Sequence, residues 1–290
     1  MKRPLPPPTL TALYPPVPGY RYFDAPAASR FDPAAAPGEA RTAWWLAEHA
    51  LLAYEHPARV REVLAPTRIE TIEHAASSSF AYALIEPDHA ILAFRGTEAM
   101  RPGDTWRKLG QVARDWLVDA QIARRPWPGG AQVHAGFAQA LDALWPAIEA
   151  LLPASTRWWC CGHSLGGALA ALAALRVQEA QRLAGVLTYG QPAAGDERLA
   201  SALDALPLLR IVNACDVVPE LPPALLGYRH GGHLRHLDAD RRQQYASTLR
   251  RHLQRLPANL RHGLGALTPI ELIDHAPLHY AIKCYNAAFG

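Results

Sequence analysis

The segment Cys160-Cys161-Gly162-His163-Ser164-Leu165-Gly166-Gly167 sets one serine between glycines, directly after an apolar run and ahead of an alanine-leucine run. A Gly-x-Ser-x-Gly pentapeptide also arises by chance. A bulky run before it and a helix-like run at once behind it supply the strand–turn–helix setting of an activated serine. The glycines have a steric reason: Ser164 must occupy a strained backbone conformation, and side chains at 162 and 166 would collide across so sharp a turn. The first turn of the following helix would also offer unpaired N–H groups and a positive dipole end to a developing oxyanion.

Serine is a weak nucleophile until a base takes its proton, and the base needs a carboxylate to orient it. In such a frame the acid and then the histidine follow the serine along the chain. Asp216 fits the acid, since "LLRIVNACDVVPELPP" reads as an apolar strand, then Asp, then a proline-rich loop. Asp196 after a glycine-containing turn and Asp204 inside a helix-like run fit less well. The base must come from a late loop, and "DHAPLHY" offers His275 and His279. His163 beside the serine and His134 in "VHAGF" read as packed, hydrogen-bonded histidines.

The elements that must position these groups are legible in outline. A helix is expected through "ARTAWWLAEHALLAYE" from Ala40, stopping before Pro57. Strands are expected at "TIEHA", "SFAYALIE", "HAILAFRG", "RWWCCG", "AGVLTYG" and "LLRIVNA". Helices are expected at "HAGFAQALDALWPAIEALL", behind Ser164, and near Glu197 to Leu206. Apolar strands separated by helices imply an α/β fold, a mainly parallel central sheet with helices on both faces. The length of 290 residues suits one such domain. Residues 1–40, rich in proline and alanine, are expected as an N-terminal arm, and 41–290 as the domain.

The motifs "FRGT", "VHAGF", "GHSLGGALA", "TYGQPAAGD", "RIVNACDVVPELPP", "GYRHGG" and "DHAPLHY", in this order from about Ala90 to Tyr285, resemble the class 3, or fungal-type, lipases of the α/β-hydrolase fold. The resemblance implies a serine ester hydrolase acting on acylglycerols or related lipid esters through an acyl-enzyme. Ser164 matches the family's nucleophile, Asp216 its triad acid, and Asp274–His275 its Asp-His pair. That match implies His275 as the base and leaves His279 as the alternative. Thr97 of "FRGT" matches the oxyanion-hole residue, and the Leu165 N–H would be the second donor. A short-chain esterase or phospholipase of the same fold is the alternative function, and a catalytically silent lipid-binding or interaction module a further one. No cofactor is implied.

The family places its lid after the oxyanion residue. The corresponding stretch here, 98–122, carries Met100, Trp106, Leu109, Val112, Trp116 and Leu117 among arginines, and a candidate lid is expected there. A basic, cap-like insertion is expected over 220–274. From Arg229 to His262 it holds eight arginines and five histidines, with Tyr245, Leu249, Leu253 and Leu256 at near-helical spacing. Either stretch could make transient contact with a lipid surface. "HGGHLRH" brings His230, His233 and His236 near Asp238, but the resemblance of "GYRHGG" to a strand segment without metal implies none.

Composition bounds the partners. Half the residues are hydrophobic, 19% are charged, and a net charge of +3 does not argue for nucleic acid. No run approaches a membrane-spanning length, so no transmembrane segment is expected. The four cysteines suggest no disulfide framework, and "MKRPLPPPTL" lacks the apolar core of a signal. The expected location is the cytoplasm, or outside the cell by export without a recognisable signal peptide.

Overall fold

A computed structural model describes residues 2–26, 30–97, 123–155, 157–238 and 269–290. The candidate lid over 98–122 and most of the basic stretch lie outside the described residues. Among the described residues seven strands form the main sheet: β1 (Arg68–His74), β2 (Ser79–Ile85), β3 (Ala90–Phe94), β6 (Trp158–His163), β7 (Leu183–Tyr189), β8 (Leu208–Asn213) and β9 (His233–Leu237), neighbours in that order. β1–β2 and β2–β3 are antiparallel hairpin pairs; from β3 through β9 every pairing is parallel. A second, two-stranded sheet pairs β4 (Arg124–Trp127) with β5 (Ala131–His134).

Strand alternation explains why the sheet is covered twice. In β6, Trp158 and Cys160 face one side and Trp159 and Cys161 the other. On the first side lie α4 (Ala135–Leu151) and α5 (Leu165–Glu179), burying Phe137, Leu141, Leu169 and Leu172. On the second lie α2 (Ala40–Leu52) and α8 (Pro277–Phe289), burying Trp44, Leu46, Leu278 and Ile282. A buried Leu or Ile side chain contributes about 1.5–3 kcal/mol, so these two layers hold the scaffold rigid. α1 (Leu10–Leu13), α3 (Pro57–Leu64), α6 (Glu197–Asp204) and α7 (Pro269–Asp274) complete the described helices. Among the described residues no helix is long and apolar enough to cross a membrane.

The N-terminal residues are pinned to α2. Glu48, fully buried, accepts hydrogen bonds from Tyr20 Oη at 2.7 Å, Trp44 Nε1 at 3.0 Å and the Phe23 amide at 3.2 Å. The Arg3 guanidinium lies 3.8 Å from the same carboxylate. Burial raises the pKa of Glu48, and these donors act against that rise.

Residues 233–237, inside the stretch expected as a cap-like insertion over 220–274, instead add the last strand of the main sheet. Its polar sequence, His-Leu-Arg-His-Leu, concealed it: an edge strand is solvated on one flank and lacks the continuous apolar run of a central parallel strand. His233 and His236, three apart on that strand, point to opposite faces. His230 is half-buried, with Nε2 2.7 Å from the Pro219 carbonyl. Among the described residues no group of three or more His, Cys, Asp or Glu side chains is arranged to hold a metal ion. All four cysteines are buried thiols outside any disulfide.

Candidate active site

β6 ends at His163 and α5 begins at Leu165, leaving Ser164 alone to reverse the chain at φ 57° and ψ −128°. This is strained territory for a residue with a side chain. The Ser164 amide is tied to the Tyr189 carbonyl at 2.9 Å, and its own carbonyl accepts from the Gly167 amide at 2.9 Å. The glycines are sterically required. A β-carbon at Gly162 would lie 2.2 Å from the Gly166 carbonyl oxygen, and one at Gly166 2.3 Å from that of Phe94. The close approach of Phe94 brings the end of β3, and so the Arg95-Gly96-Thr97 turn that follows it, against the serine bend. Ser164 and Leu165 are half-buried, and Thr97 is as well.

His275 lies in the short connection between α7 and α8, and the structure brings its ring to the serine. Its Nε2 is 2.9 Å from Ser164 Oγ, and its Nδ1 is 2.9 Å from Asp216 Oδ2. The carboxylate can only accept, so Nδ1 carries the proton and Nε2 presents its lone pair to the serine hydroxyl. His279 is buried one turn inside α8; the late-chain imidazole that meets Ser164 is that of His275.

Asp216 is set three residues beyond β8 by a tight turn in which its amide donates to the Asn213 carbonyl at 2.8 Å. The side chain is buried and surrounded by donors. Oδ1 accepts from the Val218 amide at 2.9 Å, while Oδ2 accepts from Tyr280 Oη at 2.5 Å as well as from His275. The other two candidate acids are committed elsewhere. Asp196 caps α6 by accepting from the Leu199 amide at 3.0 Å, and Asp204 accepts from the Gly232 amide at 2.7 Å. His134 likewise caps α4 through Nδ1 to the Phe137 amide at 3.3 Å, and burial lowers its pKa to about 4, which keeps that acceptor unprotonated.

Several further groups hold the site. Asn213 Nδ2 donates to the Asp274 carbonyl at 2.8 Å, and Asp274 Oδ2 accepts from the Cys215 amide at 3.2 Å, clamping the turn of the acid to the segment of the base. From the other side Leu10, Leu13 and Tyr14 of the N-terminal residues pack on Leu272 and Ala276, and Tyr14 Oη donates to the Leu272 carbonyl at 3.1 Å. Tyr280 matters most. Its hydroxyl accepts from the Asn213 amide at 3.0 Å while donating to Asp216. Tyr280→Phe orphans that amide and removes one donor from the carboxylate, at an expected cost of about 1–3 kcal/mol in thermal or denaturant unfolding. The same variant is expected to lose about tenfold in turnover through a looser Asp216–His275 pair. Unchanged unfolding and turnover would show that the hydroxyl is idle.

The sequence model of the family described as Lipase (class 3) matches residues 91–226. Over that stretch, just under half of its length, the chain is similar to the class 3 lipases. The matched stretch contains Thr97, Ser164 and Asp216 but ends before His275. A lipase of Rhizomucor miehei is 33% identical over 134 residues, 41% of this chain and 37% of that protein. The secreted mono- and diacylglycerol lipase 1 of Fusarium solani is 30% identical over 127 residues, 40% of this chain and 38% of that protein. The match thus spans less than two fifths of either relative's length. The solved structure of Rhizomucor miehei triacylglyceride lipase superposes with a TM-score of 0.55 at 23% identity, covering 69% of this chain and 79% of that one. At that identity the likeness speaks for the fold, which is the α/β-hydrolase fold of the class 3 lipases.

Proposed function

We propose that this chain is a serine ester hydrolase that cleaves lipid esters, acylglycerols in particular, through a Ser164–His275–Asp216 triad. The observation that carries this reading is the continuous line from a strained serine to a buried carboxylate, two contacts of 2.9 Å on either side of one imidazole. The match to the class 3 lipases supports acylglycerols as the ester class.

In the proposed reaction His275 Nε2 takes the proton of Ser164 Oγ as the oxygen attacks the ester carbonyl. The tetrahedral oxyanion is received by the Leu165 amide, in the first turn of α5, and by Thr97 beyond β3. One such donor contributes about 3 kcal/mol to transition-state stabilisation. The imidazolium formed at His275 is stabilised by Asp216, which stays ionised, and returns the proton to the departing alkoxide. Water, deprotonated by the same nitrogen, attacks the acyl-enzyme, and collapse of the second tetrahedral state frees the acid and the serine.

A fluorophosphonate reacts only with an activated serine, so the expected outcome is one covalent adduct on the folded chain, at Ser164, seen by mass spectrometry. Hydrolysis of acylglycerols across a series of acyl lengths then reads the substrate class. Lack of labelling would refute the triad; labelling with turnover of soluble short-chain esters or phospholipids alone would move the substrate away from acylglycerols.

A further inference from the structure

His163 precedes the serine and is 1% exposed, so each of its ring nitrogens must be satisfied inside the protein. Nε2 lies 2.7 Å from the backbone carbonyl of His275, which can only accept, so Nε2 carries the proton. Nδ1 is then a bare acceptor, and Tyr54 Oη lies 2.8 Å from it as the donor. Tyr54 comes from the chain just after α2, outside the stretch 91–226 that matches the family model.

The far side of the Tyr54 hydroxyl rests on Gly96, directly before Thr97. A β-carbon at Gly96 would stand 2.0 Å from that hydroxyl oxygen and 2.7 Å from the His163 carbonyl oxygen. No residue but glycine fits here without moving Tyr54. Burial pushes the Tyr54 pKa up, against the lowering effects of Arg95 and of the Gly96 amide, so the hydroxyl keeps its proton and remains a donor.

We propose that Tyr54 and His163 form a positioning relay that ties the Gly96–Thr97 turn to the backbone of His275. It fixes the distance between the group that receives the oxyanion and the group that takes the proton. The proposal rests on the reading of Ser164, Asp216 and His275 as a triad and adds two residues that touch neither substrate nor the reacting atoms.

The relay suits the site because it is neutral. The two imidazole centroids are 4.6 Å apart, and a proton on His163 would repel the imidazolium that forms on His275 during acyl transfer. Burial, and then the charge of His275, hold the His163 pKa well below its ordinary value, while the hydrogen bond to the His275 carbonyl acts the other way. His163 therefore passes rigidity between two loops without adding a charge to either. An active site loses rate steeply with sub-ångström misplacement, so such a tie should act on turnover rather than on substrate binding.

The test uses the full chain, with Tyr54→Phe, His163→Gln and His163→Leu. The readouts are the second-order rate of phosphonylation by a fluorophosphonate and the kcat and KM for p-nitrophenyl butyrate. For Tyr54→Phe, phosphonylation and kcat are expected to fall about tenfold together, with KM within about twofold of wild type. His163→Gln can still donate from its amide to the His275 carbonyl, so it is expected to retain several-fold more turnover than His163→Leu. A Tyr54→Phe chain that phosphonylates at the wild-type rate, or that changes KM alone, overturns the relay. If the His163 variants do not fold, Tyr54→Phe decides, since that ring sits at a partly exposed position. A wild-type chain inert to the reagent overturns the triad reading and the relay with it; a reactive wild type with an equally reactive Tyr54→Phe overturns the relay alone.

Discussion

Ser164→Ala is expected to lower ester hydrolysis by about 10⁵- to 10⁶-fold while leaving the fold intact. The size follows from what is lost: without an oxygen at this position no acyl-enzyme forms. What remains is the stabilisation that the oxyanion donors and the binding surface give to attack by water. The fold is spared because Oγ takes no part in holding the bend. The Ser164 amide and carbonyl bond to Tyr189 and Gly167, and among the described residues the side chain hydrogen-bonds to His275 alone. Alanine meets the same strain as serine at φ 57°, so the melting temperature should stay within about 3 °C of wild type. Parallel measurements of p-nitrophenyl butyrate hydrolysis and of melting by circular dichroism check both halves. A folded variant retaining more than about a hundredth of the rate would refute Ser164 as the nucleophile.

The parts of the molecule that announce themselves in the chain are those whose physics is local. Trp158 to Cys161 are bulky and apolar because a central strand is buried on both faces, and the glycines around Ser164 are there because a neighbouring backbone passes about 2 Å from where their β-carbons would be. Asp216 could be preferred to Asp196 and Asp204 because it follows an apolar strand, and the structure gives the other two carboxylates capping and turn-holding roles. The choice between His275 and His279 was not local. Both lie within five residues of one another, and only the break between α7 and α8 directs one ring to the serine and buries the other inside a helix. β9 is hidden in the sequence because His233 to Leu237 carry an edge strand's polar pattern, indistinguishable from the basic stretch that follows. Tyr54, Tyr280 and the Leu10–Tyr14 brace were illegible for a different reason: each acts on a residue more than 60 positions away, and no spacing rule connects them.

Asp216→Asn is expected to cost about 10⁴ in kcat, nearly as much as removing the carboxylate altogether, although asparagine is its closest isostere. The surroundings decide which way the new amide points. The Val218 amide donates to the position of Oδ1, so the asparagine carbonyl must sit there and its NH₂ must occupy the place of Oδ2. That NH₂ then faces two groups that had been donors, Tyr280 Oη and His275 Nδ1. The imidazole can accommodate it only by moving its proton from Nδ1 to Nε2, the nitrogen 2.9 Å from Ser164 Oγ. A protonated Nε2 cannot take the serine's proton, so the base is present, correctly placed and in the wrong tautomer. The variant should fold, since the side chain keeps its volume and the Val218 bond. It should also be nearly inert to a fluorophosphonate, which separates loss of serine activation from loss of substrate binding. Nitrogen-15 spectra of the labelled imidazole would report the exchanged tautomer directly. A folded Asp216→Asn chain losing less than about tenfold would mean that Asp216 does not orient the base, and the acid would have to be sought elsewhere.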